Sequence, residues 1–206
     1  GQGGGTIAEL RKVIKQREAD IKSLEEEKSC QFDYLYIDSS TSDLNDESAW
    51  THFGEDLSLT PQSFVNISNA GQEFNIDGLA QKVDIAPWIG DKEYLHKITQ
   101  GASNTEGAHQ QRRFGRLLFA QAADDINDAI ETKVEPLQAS SNQCAFHIFA
   151  SLAGGTGSGG IVDVVSMLRK KYPSPSVIGG FPIFLYLYVT DEDNQQARVG
   201  YFHQNQ

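Results

Sequence analysis

Between residues 150 and 160 the chain reads ASLAGGTGSGG. Four glycines, a threonine and a serine crowd into positions 154–159, and an apolar run over residues 144–152 leads into them. Ile161, Val164, Val165 and Leu168 then fall at helical spacing, so a strand feeds a glycine loop that opens a helix. Such a junction can hold an anion, because free backbone N–H groups and the positive end of the helix dipole point at the same spot. Glycine lets the main chain approach a phosphate with no Cβ in the way. Thr156 and Ser158 add hydroxyl donors, and no lysine falls in residues 154–160, so the loop is not a Walker loop. The rival reading is a flexible connector, which fits poorly between an apolar strand and an amphipathic helix.

Two further stretches have the same character. Residues 1–6, GQGGGT, form a glycine loop with a helical pattern behind it at Ile7, Leu10, Ile14, Ile21 and Leu24, expected to run to about residue 27. A dinucleotide-binding loop would need glycine where Thr6 stands. Residues 101–116 read GASNTEGAHQQRRFGR, where Gly107 and Ala108 precede an arginine cluster. The guanidinium groups of Arg112, Arg113 and Arg116 carry forked donors that suit a phosphate, with surface salt bridges as the alternative. Phe114, Leu117, Leu118, Ala122, Ile126 and Ile130 give one helix an apolar face to about residue 132, and residues 134–143 read as a polar connection.

The order of these motifs resembles the tubulin and FtsZ superfamily of GTPases, whose signature loop is GGGTGSG. Ser151, Gly154, Gly155, Thr156, Gly157 and Ser158 match the tubulin version, with Ala153 standing where the first of three glycines is usual. Gly1 and Gln2 are similar to tubulin's GQ start, and Gly3, Gly4 and Gly5 to the FtsZ glycine run. The segment LRKKYP at 168–173 is similar to the following tubulin helix, and GA with QRR-x-GR resembles the bacterial tubulin-like branch. The resemblance implies an α/β, Rossmann-like three-layer fold with a mostly parallel sheet over residues 1–206, interrupted by a family-specific insert at about 42–100. Loops at the carboxyl ends of such strands converge on one ligand.

The resemblance also implies GTP or GDP as ligand with Mg²⁺, hydrolysis coupled to head-to-tail self-assembly into filaments, and a cytoplasmic protein. A Gly-Ala loop at 107–108 would sense the γ-phosphate. Asp38, at the end of the strand expected over 32–37, would lie near the phosphates and could hold Mg²⁺ through its waters, with Asp43 as the alternative and a capping or turn role as the rival. Glu192 or Asp193, in the loop TDED after the strand expected over 181–189, would reach the ribose, unless that loop is simply solvated. Asn205 is a candidate base reader. No catalytic residue is expected within these 206 residues, because the acid that positions the attacking water comes from the next subunit. The first strand of the family's sheet has no counterpart, so the working protein is expected to extend at both ends.

Bulk properties narrow the partners. A formal net charge of −11 argues against a nucleic-acid groove or an anionic membrane surface. No apolar run approaches the roughly 20 residues of a membrane span. Cys30 and Cys144 lack metal-ligand spacing and read as reduced structural thiols. His147, inside an apolar strand, is expected in the core, and so is Trp88. Adaptor proteins are not specified. Two other functions remain open: a nucleotide-bound scaffold without turnover, and an NAD-type oxidoreductase, which leaves the 154–159 string and the arginines unexplained.

Overall fold

The computed structural model describes residues 3–23, 31–41, 45, 50–52, 54–68, 75–81, 86–102, 107–108, 111–140, 144–174, 176, 180–191 and 196–199. Gly1, Gln2, Asp43, Glu192, Asp193, Asn205 and Cys30 lie outside them. Helix α1 spans Gly3–Ser23, followed by strand β1 (Tyr36–Asp38), a hairpin of β2 (Thr51–His52) and β3 (Glu55–Asp56), and β4 (Phe64–Asn66). Two single-turn helices, α2 (Ile76–Leu79) and α3 (Ala86–Ile89), precede α4 (Lys92–Ala102). Then come α5 (Arg112–Gln121), α6 (Ala123–Ser140), β5 (Phe146–Ser151), α7 (Thr156–Lys171), β6 (Ile183–Asp191) and β7 (Gln196–Val199).

The described strands form three small sheets. β1 pairs in parallel with β4, with Tyr36 opposite Phe64 and Asp38 opposite Asn66. β5 pairs in parallel with β6, from Phe146 opposite Ile183 to Ser151 opposite Tyr188, and β7 runs antiparallel to β6. The two parallel pairs fit an α/β class. They do not join into the single sheet that the sequence suggested, although α1 packs against both β1 and β5.

Side-chain alternation explains the layers. Along β5, Phe146, Ile148 and Ala150 share one face, and Phe146 packs against Tyr172 and Phe181 of the core. His147 and Phe149 share the other face, so the expected core position of His147 is not what forms. It is exposed, stacked on Phe184 with centroids 4.9 Å apart, and its Nδ1 shares a hydrogen bond with Tyr186 Oη at 3.0 Å. The period of two puts an odd position on the opposite face from its apolar neighbours, and that decides the matter.

The helices supply the rest of the core. Phe114, Leu117, Leu118 and Phe119 of α5 are buried, as are Ile126, Ile130 and Val134 of α6. The apolar stripe therefore continues one step past Ile130 to Val134, and the helix runs on to Ser140 through Pro136. Residues 134–140 are thus helix rather than a polar connection. α5 and α6 meet at Ala122, whose φ of −95° and ψ of 14° break the regular turn. No helix among the described residues is long and apolar enough to cross a membrane.

Candidate nucleotide-phosphate site

The glycine string is helical earlier than its apolar pattern suggests. α7 begins at Thr156, five positions before Ile161, so Gly157, Gly159 and Gly160 lie inside its first turns. Its N-cap is Gly155, which has no side chain to cap with, and the first-turn N–H groups of a helix have no intrahelical partner. α5 begins in the same way: the side chain of its N-cap, Gln111, does not cap the helix, and its Oε1 accepts from Tyr94 Oη at 2.7 Å. α1 likewise starts at Gly3, within the expected loop.

The glycines divide by what surrounds them. A Cβ on Gly155 would sit 2.7 Å from Ala108 Cβ, and one on Gly159 would sit 2.5 Å from the Arg112 carbonyl oxygen. One on Gly160 would meet the Phe119 ring at 2.6 Å, and one on Gly115 would run into the Gly155 carbonyl. Gly115 and Gly159 let α5 and α7 touch backbone to backbone, Gly155 lets Ala108 close in, and Gly160 makes room for the Phe119 ring. Gly154 is different, because a Cβ there would meet nothing of the protein nearer than 3.8 Å. Gly157 is intermediate, 3.4 Å from the Ser151 backbone. Protein packing therefore accounts for Gly155, Gly159 and Gly160, whereas a Cβ on Gly154 would make only ordinary van der Waals contact with Ser151.

Three chain segments meet at this point. Ser39, directly after β1, is fully buried; its carbonyl accepts the Gly107 N–H at 2.8 Å, and its hydroxyl shares a 2.7 Å hydrogen bond with that of Thr156. Gly107 has a φ of 97°, which glycine adopts cheaply, and the chain turns there into Ala108, buried against Gly155. Ser151 Oγ accepts the Gly154 N–H at 3.3 Å and closes the turn, while Ser158 Oγ donates to the Gly154 carbonyl. The loops after β1, before α5 and before α7 thus come together, as the sequence suggested for Asp38, Gly107, Ala108 and residues 151–158.

Some candidate residues are engaged elsewhere. Asp38 is buried, with Oδ2 accepting from Tyr36 Oη and Oδ1 from the Ser39 N–H, each at 2.6 Å. Its carboxylate is turned into the protein and does not fit the Mg²⁺ role; no group of three His, Cys, Asp or Glu suited to a metal occurs among the described residues. Arg112 donates through Nη2 to the Leu152 carbonyl at 2.9 Å, tying α5 to the loop. Arg113 stacks over Tyr94 at 5.6 Å. Arg116 forms a two-pronged ion pair with Asp163, both contacts 2.8 Å, and lies 4.2 Å over the half-buried Trp88 ring. The arginine cluster therefore holds α5 to its neighbours, the salt-bridge alternative for Arg116.

Sequence reasoning missed Ser39. The available signal was a polar pair, Asp38 and Ser39, closing an apolar strand, but nothing in residue type separates Ser39 from Ser40.

A family model described as tubulin like matches residues 1–201. No curated protein and no solved structure matches the chain. The family match spans nearly all of the sequence and includes every segment that meets at this site, and the chain belongs to the tubulin-like family.

Proposed function

We propose that this chain binds the phosphates of GTP or GDP at the junction of β5 and α7, within a Rossmann-like three-layer domain, and that it self-associates head to tail into filaments. The observation that carries this reading is Gly154. It opens an uncapped helix N-terminus, and its Cβ direction points at nothing of the protein within 3.8 Å. An oxyanion there would meet the N–H groups of the first turn of α7 and the positive end of its dipole. Gly107 and Ala108 close the other side, and the neighbouring α5 brings a second helix N-terminus without a side-chain cap. Ser151, Gly155, Thr156, Gly157 and Ser158 shape the turn. The helical start at Gly3, Gly4 and Gly5 and the packing of α1 on β1 and β5 support a place for the first loop in the same domain. Tubulin-like proteins in general bind GTP and assemble, which supports guanine as the base and a polymer as the state.

Hydrolysis is the finer part of the proposal. Phosphoryl transfer requires mainly positioning and charge stabilisation. The described residues provide positioning, and Arg112, Arg113 and Arg116 are engaged within the chain. That engagement leaves the three guanidinium groups already partnered, and the likeness to tubulin-like proteins supports an acid supplied by a neighbouring subunit. It also gives weight to a second reading, a nucleotide-bound scaffold or switch without turnover. Bound Mg²⁺ would neutralise phosphate charge.

The test is GTP turnover measured against protein concentration, with light scattering recorded in parallel and ATP and NAD as controls. Turnover per subunit that rises with assembly supports the GTPase reading. Tight GTP binding with no turnover at any concentration selects the scaffold. Preference for NAD overturns both.

A further inference from the structure

Ser39 sits where the phosphate loops meet, and it is the residue that joins them. It is fully buried, and Asp38 beside it is buried as well. Tyr36 Oη donates to Asp38 Oδ2 at 2.6 Å, and Asp38 Oδ1 accepts the Ser39 N–H at 2.6 Å, so the carboxylate is fixed from both sides and fixes Ser39 in turn. From there Ser39 reaches two other segments. Its carbonyl holds the Gly107 N–H at 2.8 Å, and its hydroxyl lies 2.7 Å from Thr156 Oγ1.

The proton arrangement matters. Ser39 Oγ is 3.5 Å from Asp38 Oδ1, at the limit of hydrogen bonding, and much closer to Thr156. The shorter contact is the one to Thr156, where either hydroxyl can donate. With Ser39 donating, Thr156 accepts through its oxygen and keeps its own proton to give to an oxyanion at the start of α7. Donating to an anion in turn makes the Thr156 oxygen the better acceptor for Ser39 only in this direction of the chain.

We propose that Ser39 is a positioning residue for nucleotide phosphate: held by the Tyr36–Asp38 pair, it orients the Thr156 hydroxyl toward the ligand and fixes the Gly107 turn relative to it. This inference rests on the phosphate-site reading above. It also gives Asp38 a task, anchoring Ser39, in place of a metal role.

The experiment is a double-mutant cycle on nucleotide affinity, with GTP and Mg²⁺ titrated into the wild-type chain, Ser39→Ala, Thr156→Val and the double variant. Far-UV circular dichroism checks that each is folded. Each single variant should lose about tenfold in affinity, the scale of one hydrogen bond to a charged group, and the double variant should lose no more than either single one. Thr156→Ser, which keeps the hydroxyl, should bind as wild type. Thr156 is half-buried at the start of α7, and Thr156→Val carries the test if Ser39→Ala does not fold. Multiplying losses, wild-type affinity in Ser39→Ala or wild-type affinity in Thr156→Val overturns this inference and leaves the phosphate site standing. A wild-type chain that binds no nucleotide overturns both together.

Discussion

On one side α5 meets α7 backbone to backbone; on another it meets residues 86–102 through side chains. The first contact depends on Gly115, Gly155 and Gly159, where no Cβ fits. The second depends on rings under guanidinium groups: Trp88 under Arg116 and Tyr94 under Arg113. A contact made of main chain leaves no freedom to adjust, whereas stacked side chains can shift by rotamer. The rigid contact is the one beside the candidate phosphate site. The adaptable one belongs to the stretch read as an insert, which holds α5 in place although it carries no site residue itself.

The largest effect on stability should come from filling the rigid contact. Gly115→Ala gains about 1 kcal/mol in helix propensity. Against that, its Cβ would run into the Gly155 carbonyl, and overpacking of this kind costs about 1–3 kcal/mol, more where backbone must move. The net expectation is a loss of about 2 kcal/mol in urea unfolding, with weaker nucleotide binding as α7 is pushed away. A stability gain would show that α5 and α7 separate easily, and the contrast between the two contacts would fail.

Trp88→Ala probes the adaptable side. The ring is half-buried, so the loss should be about 1–2 kcal/mol, below the cost of emptying a closed core site. Nucleotide affinity should stay within about twofold of wild type, a ratio worth about 0.4 kcal/mol. A large loss of affinity would mean that the insert shapes the site.

The smallest effect lies far from both contacts, in the β2–β3 hairpin. Asp56 accepts from the Ser58 hydroxyl and, at 2.8 Å, from its N–H, and these bonds hold the carboxyl below the usual aspartate range, the hydroxyl first. A lowered folded-state value contributes stability above the unfolded value of about 3.9 and loses it as pH falls through the folded value. Ser58→Ala should return the Asp56 midpoint toward the ordinary value in a carboxylate NMR titration, with little change in stability at neutral pH. An unchanged midpoint would mean the Ser58 hydroxyl is not the cause.

What was legible followed from period and from glycine. The strand–turn–helix order around residues 144–171, the family resemblance and the meeting of the 38, 107 and 154 loops all come from such signals. The helix start was misplaced because a turn of glycines reads as loop, and here tertiary contact with α5 makes it helix. The end of α6 was misplaced because Pro136 and polar neighbours mask the single further apolar step at Val134. Residues 42–100 were opaque for a different reason. Strands of two residues and helices of four have no period, and their order rests on individual buried groups such as Trp50 and Ile76. The partners of the arginines were equally hidden, because Asp163, Trp88 and Tyr94 are distant in sequence from the residues they hold.

The central claim is that Gly154 is a glycine because a phosphate approaches it, whereas Gly155 is a glycine because Ala108 does. This changes the obvious test, since a bulky residue at Gly155 would disturb packing as well as binding. The direct measurement is a calorimetric titration of GTP with Mg²⁺ into wild type and Gly154→Val, with urea unfolding of both. The account predicts a loss of affinity of at least about 100-fold, some 2.7 kcal/mol, at unfolding stability within about 1 kcal/mol of wild type, because a Cβ at Gly154 meets no protein atom nearer than 3.8 Å. Wild-type affinity in a folded Gly154→Val protein would contradict it and place the phosphate elsewhere.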